Sequence, residues 1–103
     1  MDFRDAEGID WDNEDDEEGN LVHCLRHGVT ESVVDQVLRN DPSLVKTRLK
    51  TATFAVLGPD DEGVLWLLYF DWSHNRGDWL RPVTGRPAKE QERVEWARTR
   101  SVR

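Results

Sequence analysis

The sequence predicts an α+β fold with two N-terminal helices, an antiparallel sheet of three or four strands and a C-terminal helix. Three observations predict it: apolar residues recur at helical spacing over residues 20–38, turn residues divide residues 43–84 into short apolar segments, and a charged helical stretch follows Pro87. Because the strands follow one another without intervening helices, we expect the helices to cover at least one face of an antiparallel sheet.

The first helix is predicted to begin near Asn20 and the second near Glu31. The expected buried stripe of the first helix is Leu21, Val22, Cys24 and Leu25, with Asn20, His23, Arg26 and His27 on the opposite side. The acidic residues 14–18 also suit the first turn of a helix. Gly28 suits the left-handed position that ends a helix, and Thr30 suits the N-cap of the next one. Pro42 predicts that the second helix ends near Asn40.

The strands are predicted from the segments that follow Pro42. Residues 44–49 and 51–57 suit the first two strands, and residues 78–84 suit the last one, where Pro82 indicates an edge or a bulge. Val64–Phe70 consists of seven consecutive apolar residues bounded by turn residues, which predicts an interior strand that is buried on both faces. A final helix is expected over Pro87–Arg98.

The composition predicts one soluble, cytoplasmic domain. At 103 residues the chain is long enough for a single core, and its one cysteine, Cys24, excludes an intramolecular disulfide. The sequence shows no secretory signal pattern and no apolar run long enough to span a membrane.

The charge is unevenly distributed along the chain. The whole chain carries a net charge of −7, but residues 1–20 hold ten acidic residues and one basic residue, so the remainder has a net charge of +2. We therefore divide the chain into an acidic arm over residues 1–12, whose few apolar anchors leave room for flexibility, and a single domain over residues 13–103. The acidic run is either a solvated surface or a mimic of nucleic acid that covers a basic groove.

An ordered set of short motifs resembles a known family. The motifs are Ile9-Asp10-Trp11-Asp12, His23-x-x-x-His27-Gly28-Val29-Thr30, Asn40-Asp41-Pro42, Ala55-Val56-Leu57-Gly58, Gly77-Asp78-x-x-Arg81, Gly85-Arg86-Pro87-Ala88 and Glu92-Arg93-x-x-Trp96. In this order, over residues 9–97, they resemble the BrnT-type toxins of bacterial type II toxin–antitoxin systems, which have the RelE-like fold. The chain departs from the family pattern by lacking a basic residue between Asn13 and Asn20.

The resemblance implies a metal-independent endoribonuclease that needs no cofactor. Its partners would be RNA and an antitoxin of the ribbon-helix-helix type. The implied catalytic residues are Arg81, Arg86 and His27, where the cations stabilise the phosphorane and the imidazole transfers a proton. The implied RNA-binding residues are Arg48, Lys50, Arg76 and Lys89, with Lys46 on a neighbouring position.

Other interpretations of these residues stay open. His23 and His27 could bind a metal if Asp12 or Glu31 supplied a third ligand, but a zinc site usually has more Cys and His, and Cys24 falls on the apolar side. His27 could equally hydrogen-bond the end of its helix. The arginines could be ordinary surface charges. The alternative function is a non-catalytic RelE-fold module that binds or regulates a protein and carries an acidic, nucleic-acid-mimicking arm.

Overall fold

A computed structural model describes residues 2–101 and confirms the α+β class. The helices are α1 (Asn20–Arg26), α2 (Glu31–Arg39) and α3 (Glu90–Ser101), and the strands are β1 (Gly8–Ile9), β2 (Ser43–Val45), β3 (Phe54–Pro59), β4 (Leu65–Trp72) and β5 (Trp79–Pro87). Met1, which begins the predicted arm, and Val102 and Arg103, which end the predicted domain, lie outside the described residues. No helix within residues 2–101 is long and apolar enough to cross a membrane.

The strands form one sheet in the order β1-β5-β4-β3-β2, which is antiparallel except where β1 runs parallel to β5. The predicted number of three or four strands was too low, because β1 comes from the acidic segment. Two residues are too few to show a strand periodicity in the sequence. The first predicted strand was also too long, since β2 covers only Ser43–Val45.

The interior position of β4 was predicted correctly. It lies between β3 and β5, and its side chains are buried on both faces of the sheet. Leu68 and Phe70 pack beneath α1 and α2, whereas Leu65 and Leu67 pack on the other face with Ala88, next to Trp96 of α3. The core therefore has two parts, one on each side of the sheet.

The junction of the first two helices was also predicted correctly. Gly28 has a φ of 78°, a conformation that L side chains rarely adopt, and the hydroxyl of Thr30 accepts a hydrogen bond from the N–H of Val33. The second helix ends at its C-cap, Asn40. The pairing of β4 with β5 shifts between Tyr69 and Phe70, which confirms the bulge expected from Pro82.

Two predictions about the first helix were wrong. Residues 14–18 form turns rather than a helix, because the side chains of Asn13 and Asp16 accept local backbone hydrogen bonds that compete with helical ones. Asn20 is buried and Leu25 is 48% exposed, the reverse of the expected pattern. The amide of Asn20 is satisfied in the interior by the carbonyl oxygens of Asp10 and Pro82.

The acidic segment expected as an arm packs along the sheet. A 3-10 turn at Phe3–Asp5 buries Phe3 against the core, and β1 then pairs with the first residues of β5. The carboxylate of Asp10 accepts a hydrogen bond from Ser73, and Asp12 contacts both α1 and β5. This segment therefore brings its carboxylates to the edge of β5.

Candidate functional site

A groove of about 540 Å³ lies between α1 and the edge of β5. It is lined by His23 and Arg26 of α1, Arg81, Pro82 and Val83 of β5, Asp71 of β4, Thr51 in the loop before β3, and Glu17, Glu18, Gly19 and Asn20 ahead of or at the start of α1. His23 and Arg26 are exposed, because α1 turns its buried side toward the core. The groove is the place where basic groups from the first helix and the last strand come together.

Arg81 is held at one wall of this groove by Asp12. Its Nη1 and Nη2 donate hydrogen bonds of 2.9 and 2.6 Å to the two carboxylate oxygens, and Nη1 lies 3.7 Å from Asp10. The hydrogen bonds between the two side chains lower the pKa of Asp12 and raise the pKa of Arg81. The pair fixes the orientation of the guanidinium group, and three of its five N–H groups make no hydrogen bond within residues 2–101.

The same carboxylate fastens the beginning of α1 to the sheet. Asp12 accepts a hydrogen bond of 2.8 Å from the N–H of Asn20, and its own N–H donates to the amide oxygen of Asn20. A Cβ atom on Gly19 would lie 2.6 Å from the Cβ of Asp12, so only glycine allows this close approach. These hydrogen bonds anchor α1 at its first residue, Asn20. His23 lies one turn further along the helix and faces the groove.

The two histidines have different positions. His23 lines the groove, whereas His27 is the C-cap of α1 and donates its backbone N–H to the carbonyl oxygens of Cys24 and Leu25. Their rings are 4.8 Å apart between centroids. Cys24 is fully buried, and burial raises the pKa of its thiol to about 11. In the described part of the chain, no three His, Cys, Asp or Glu residues are grouped so that they could hold a metal ion.

Arg86 lies away from the groove. Its Nη1 and Nη2 donate hydrogen bonds of 2.7 and 3.0 Å to Glu92, which also accepts one from the backbone N–H of Lys89. Glu92 raises the pKa of Arg86, and the hydrogen bond from Arg86 lowers the pKa of Glu92. Of the three predicted catalytic residues, Arg81 alone is among the residues that line the groove.

The predicted RNA-binding residues are spread over three places. Arg48 and Lys50 are exposed in the loop that leads to Thr51 at the groove. Arg76 lies 4.5 Å above the ring of Trp79 in the turn before β5, and Lys89 is exposed just before α3. Only the first of these places is continuous with the groove.

Sequence reasoning did not assign the two basic side chains that α1 contributes to the groove, His23 and Arg26. Neither Arg26 nor His23 was among the predicted catalytic or RNA-binding residues, although His23 was weighed as a metal ligand. The signal was present, since both residues fall on the polar side of α1. What the sequence lacked was the position of β5 relative to that side.

Comparison with protein-family models, with curated proteins and with solved structures gives no match to this chain. The resemblance to BrnT-type toxins therefore stays a prediction based on the motifs.

Proposed function

We propose that the groove between α1 and β5 binds RNA and cleaves it by metal-independent phosphodiester transfer, as in a BrnT-like toxin. Such a toxin would act in the cytoplasm, and an antitoxin of the ribbon-helix-helix type would neutralise it. One observation carries the proposal: an imidazole, that of His23, lines the same groove as the guanidinium groups of Arg26 and Arg81. These are the two kinds of group that the reaction needs, a proton carrier and cations.

The reaction proceeds in one transfer step. A base takes the proton of the ribose 2′-hydroxyl, the 2′-oxygen forms a bond to phosphorus, and the bond from phosphorus to the 5′-oxygen breaks. The leaving 5′-oxygen takes up a proton, so the products are a 2′,3′-cyclic phosphate and a 5′-hydroxyl. In this proposal His23 is the proton carrier, because it is the imidazole that lines the groove and an imidazole can both accept and donate a proton. The negative charge that develops on the phosphorane is stabilised by the arginines.

The two arginines have different roles. Asp12 offsets the charge of Arg81, so that Arg81 contributes oriented N–H donors rather than net charge. Arg26 is exposed and makes no ion pair within residues 2–101, so its charge is available to a phosphate. From the groove, the RNA backbone continues past Thr51 toward Lys50 and Arg48, whose charges neutralise further phosphates. Arg76 and Lys89 would contact only a longer RNA.

The test is cleavage of labelled single-stranded RNA by the purified protein in EDTA. We expect His23→Ala to lower the cleavage rate by about a hundredfold, the usual contribution of a general acid or base. Glu95→Ala is the control, because Glu95 is exposed on α3 and does not line the groove. Equal rates for the wild type and His23→Ala would contradict the assignment of His23.

A second candidate function is the non-catalytic RelE-fold module. It is favoured because the two predicted catalytic arginines already form ion pairs with carboxylates, Arg81 with Asp12 and Arg86 with Glu92. Two further acidic residues, Glu17 and Glu18, line the groove. In this case the acidic segment takes the place of RNA phosphates. The same assay separates the two candidates, since a wild type that neither binds nor cleaves RNA favours the module.

A further inference from the structure

Strand β2 forms an edge of the sheet. It pairs with β3 on one side, and no strand within residues 2–101 pairs with its other side. Edge strands can pair with an extended segment of another chain, and proteins commonly protect them. Here the middle residue of the edge is Leu44, whose side chain is 62% exposed. An exposed apolar side chain on a free edge leaves this strand open to pairing.

An apolar cleft lies beside this edge. It has a volume of about 260 Å³, and its lining includes Phe3, Leu44, Phe54 and Trp72. The ring of Phe54 lies 5.9 Å from that of Phe3 and 6.0 Å from that of Trp72, measured between centroids. Asp2 also borders the cleft, and its carboxylate is paired with Arg4 at 3.3 Å. The cleft can therefore accept one apolar side chain from a strand placed against β2.

The charge next to the edge indicates what kind of partner fits. Residues 43–59 contain Lys46, Arg48 and Lys50 and no acidic residue, although the whole chain has a net charge of −7. All three basic side chains are exposed, and none makes an ion pair within the described residues. A partner strand that carries carboxylates would be attracted to this segment, whereas a basic one would be repelled.

We infer that the free edge of β2 binds an extended acidic segment of a partner protein as an added strand. Backbone hydrogen bonds to β2 supply the affinity, and the cleft at Phe54 selects an apolar side chain. Lys46, Arg48 and Lys50 select for carboxylates on the segment. Leu44 and the cleft lie outside the groove, so the edge can bind such a segment whether or not the groove cleaves RNA. Arg48 and Lys50 are the residues that the two proposals share.

The test uses a fluorescein-labelled peptide of about six residues that alternates Glu with Val, the length of an ordinary strand. We expect it to bind the full chain, to slow hydrogen exchange in residues 43–46, and to bind at least about tenfold more weakly to Leu44→Asp, which adds a like charge and removes apolar contact. Val94→Asp is the matched control, since Val94 on α3 is also 62% exposed. A peptide with Lys in place of Glu should not bind.

Several outcomes would overturn the inference: no binding of the acidic peptide, equal binding of the acidic and basic peptides, or equal affinity of the wild type and Leu44→Asp. A dimer in sedimentation that Leu44→Asp dissociates would also overturn it, because a second copy would then occupy the edge. Leu44→Asp should leave the rate of RNA cleavage unchanged, so the two proposals can fail separately.

Discussion

Strand β5 carries two arginine–carboxylate pairs that have nearly the same geometry and very different connections. The pair of Arg81 with Asp12 and the pair of Arg86 with Glu92 both have two hydrogen bonds between 2.6 and 3.0 Å. Their side chains are also similarly exposed, at 30 and 25% in the first pair and 33 and 26% in the second. However, Arg81 and Asp12 are 69 positions apart in the chain, whereas Arg86 and Glu92 are only 6 positions apart.

Each of these carboxylates also accepts a backbone N–H at the beginning of a helix. Asp12 accepts from Asn20, the first residue of α1, and Glu92 accepts from Lys89, directly before α3. A carboxylate is favoured there because the N-terminus of a helix carries partial positive charge. The first pair therefore fixes α1 against β5 and forms a wall of the groove, whereas the second orders the local start of α3. The same kind of contact therefore assembles a candidate site in one place and caps a helix in the other.

The largest expected difference between the pairs concerns RNA cleavage. Arg81→Ala should lower the rate by about a hundredfold, equivalent to about 2.7 kcal/mol of transition-state stabilisation, whereas Arg86→Ala should change it by less than about threefold. Arg81→Lys should recover part of the rate, because a lysine still donates N–H groups but cannot make the two-pronged contact with Asp12 that orients them. Rates are measured with labelled RNA on variants whose circular dichroism matches the wild type. Equal losses at Arg81 and Arg86 would mean that the groove is not where cleavage occurs.

The next difference concerns the free energy of unfolding. Asp12→Ala should lower it by about 2 kcal/mol, because it removes the hydrogen bonds to Arg81 and to the start of α1 and leaves a half-buried guanidinium group without its carboxylate. Glu92→Ala should lower it by about 1 kcal/mol, since α3 can fray without releasing the sheet. Urea denaturation measures both values. Glu95→Ala, which breaks the exposed pair with Arg98, is the control and should leave the urea midpoint unchanged.

The features that the sequence predicted are those with local causes. The left-handed turn at Gly28, the N-cap at Thr30 and the bulge near Pro82 each follow from the backbone preferences of one residue. The interior strand β4 follows from an uninterrupted apolar run. These signals lie within a few residues of the structure they determine.

The features that the sequence did not predict depend on distant partners. Pairing of β1 with β5 joins Ile9 to Leu80, and the wall of the groove joins Asp12 to Arg81. Asn20 looks like a surface residue until a carbonyl oxygen 62 positions away accepts its amide hydrogen. For the same reason, spacing alone placed both His23 and His27 on one polar side but did not show which of them faces β5.

The smallest expected difference is in the pH dependence of stability, and it tests whether charge is what distinguishes the pairs. Arg81 lowers the pKa of Asp12 and Arg86 lowers the pKa of Glu92 in the folded protein. A carboxyl whose folded pKa is depressed stabilises the fold above its unfolded pKa of about 4, and this contribution is lost as the pH falls through the folded pKa. The stability difference between the wild type and Asp12→Asn should therefore be full at pH 7 and shrink below about pH 4.

The difference for Glu92→Gln should shrink in the same direction by a smaller amount, because fewer contacts depend on that carboxylate. Urea denaturation of all three proteins at both pH values measures the change. A difference that stays constant with pH would mean that the pairs act through shape and hydrogen bonding alone, and that the groove wall would survive neutralisation of Asp12.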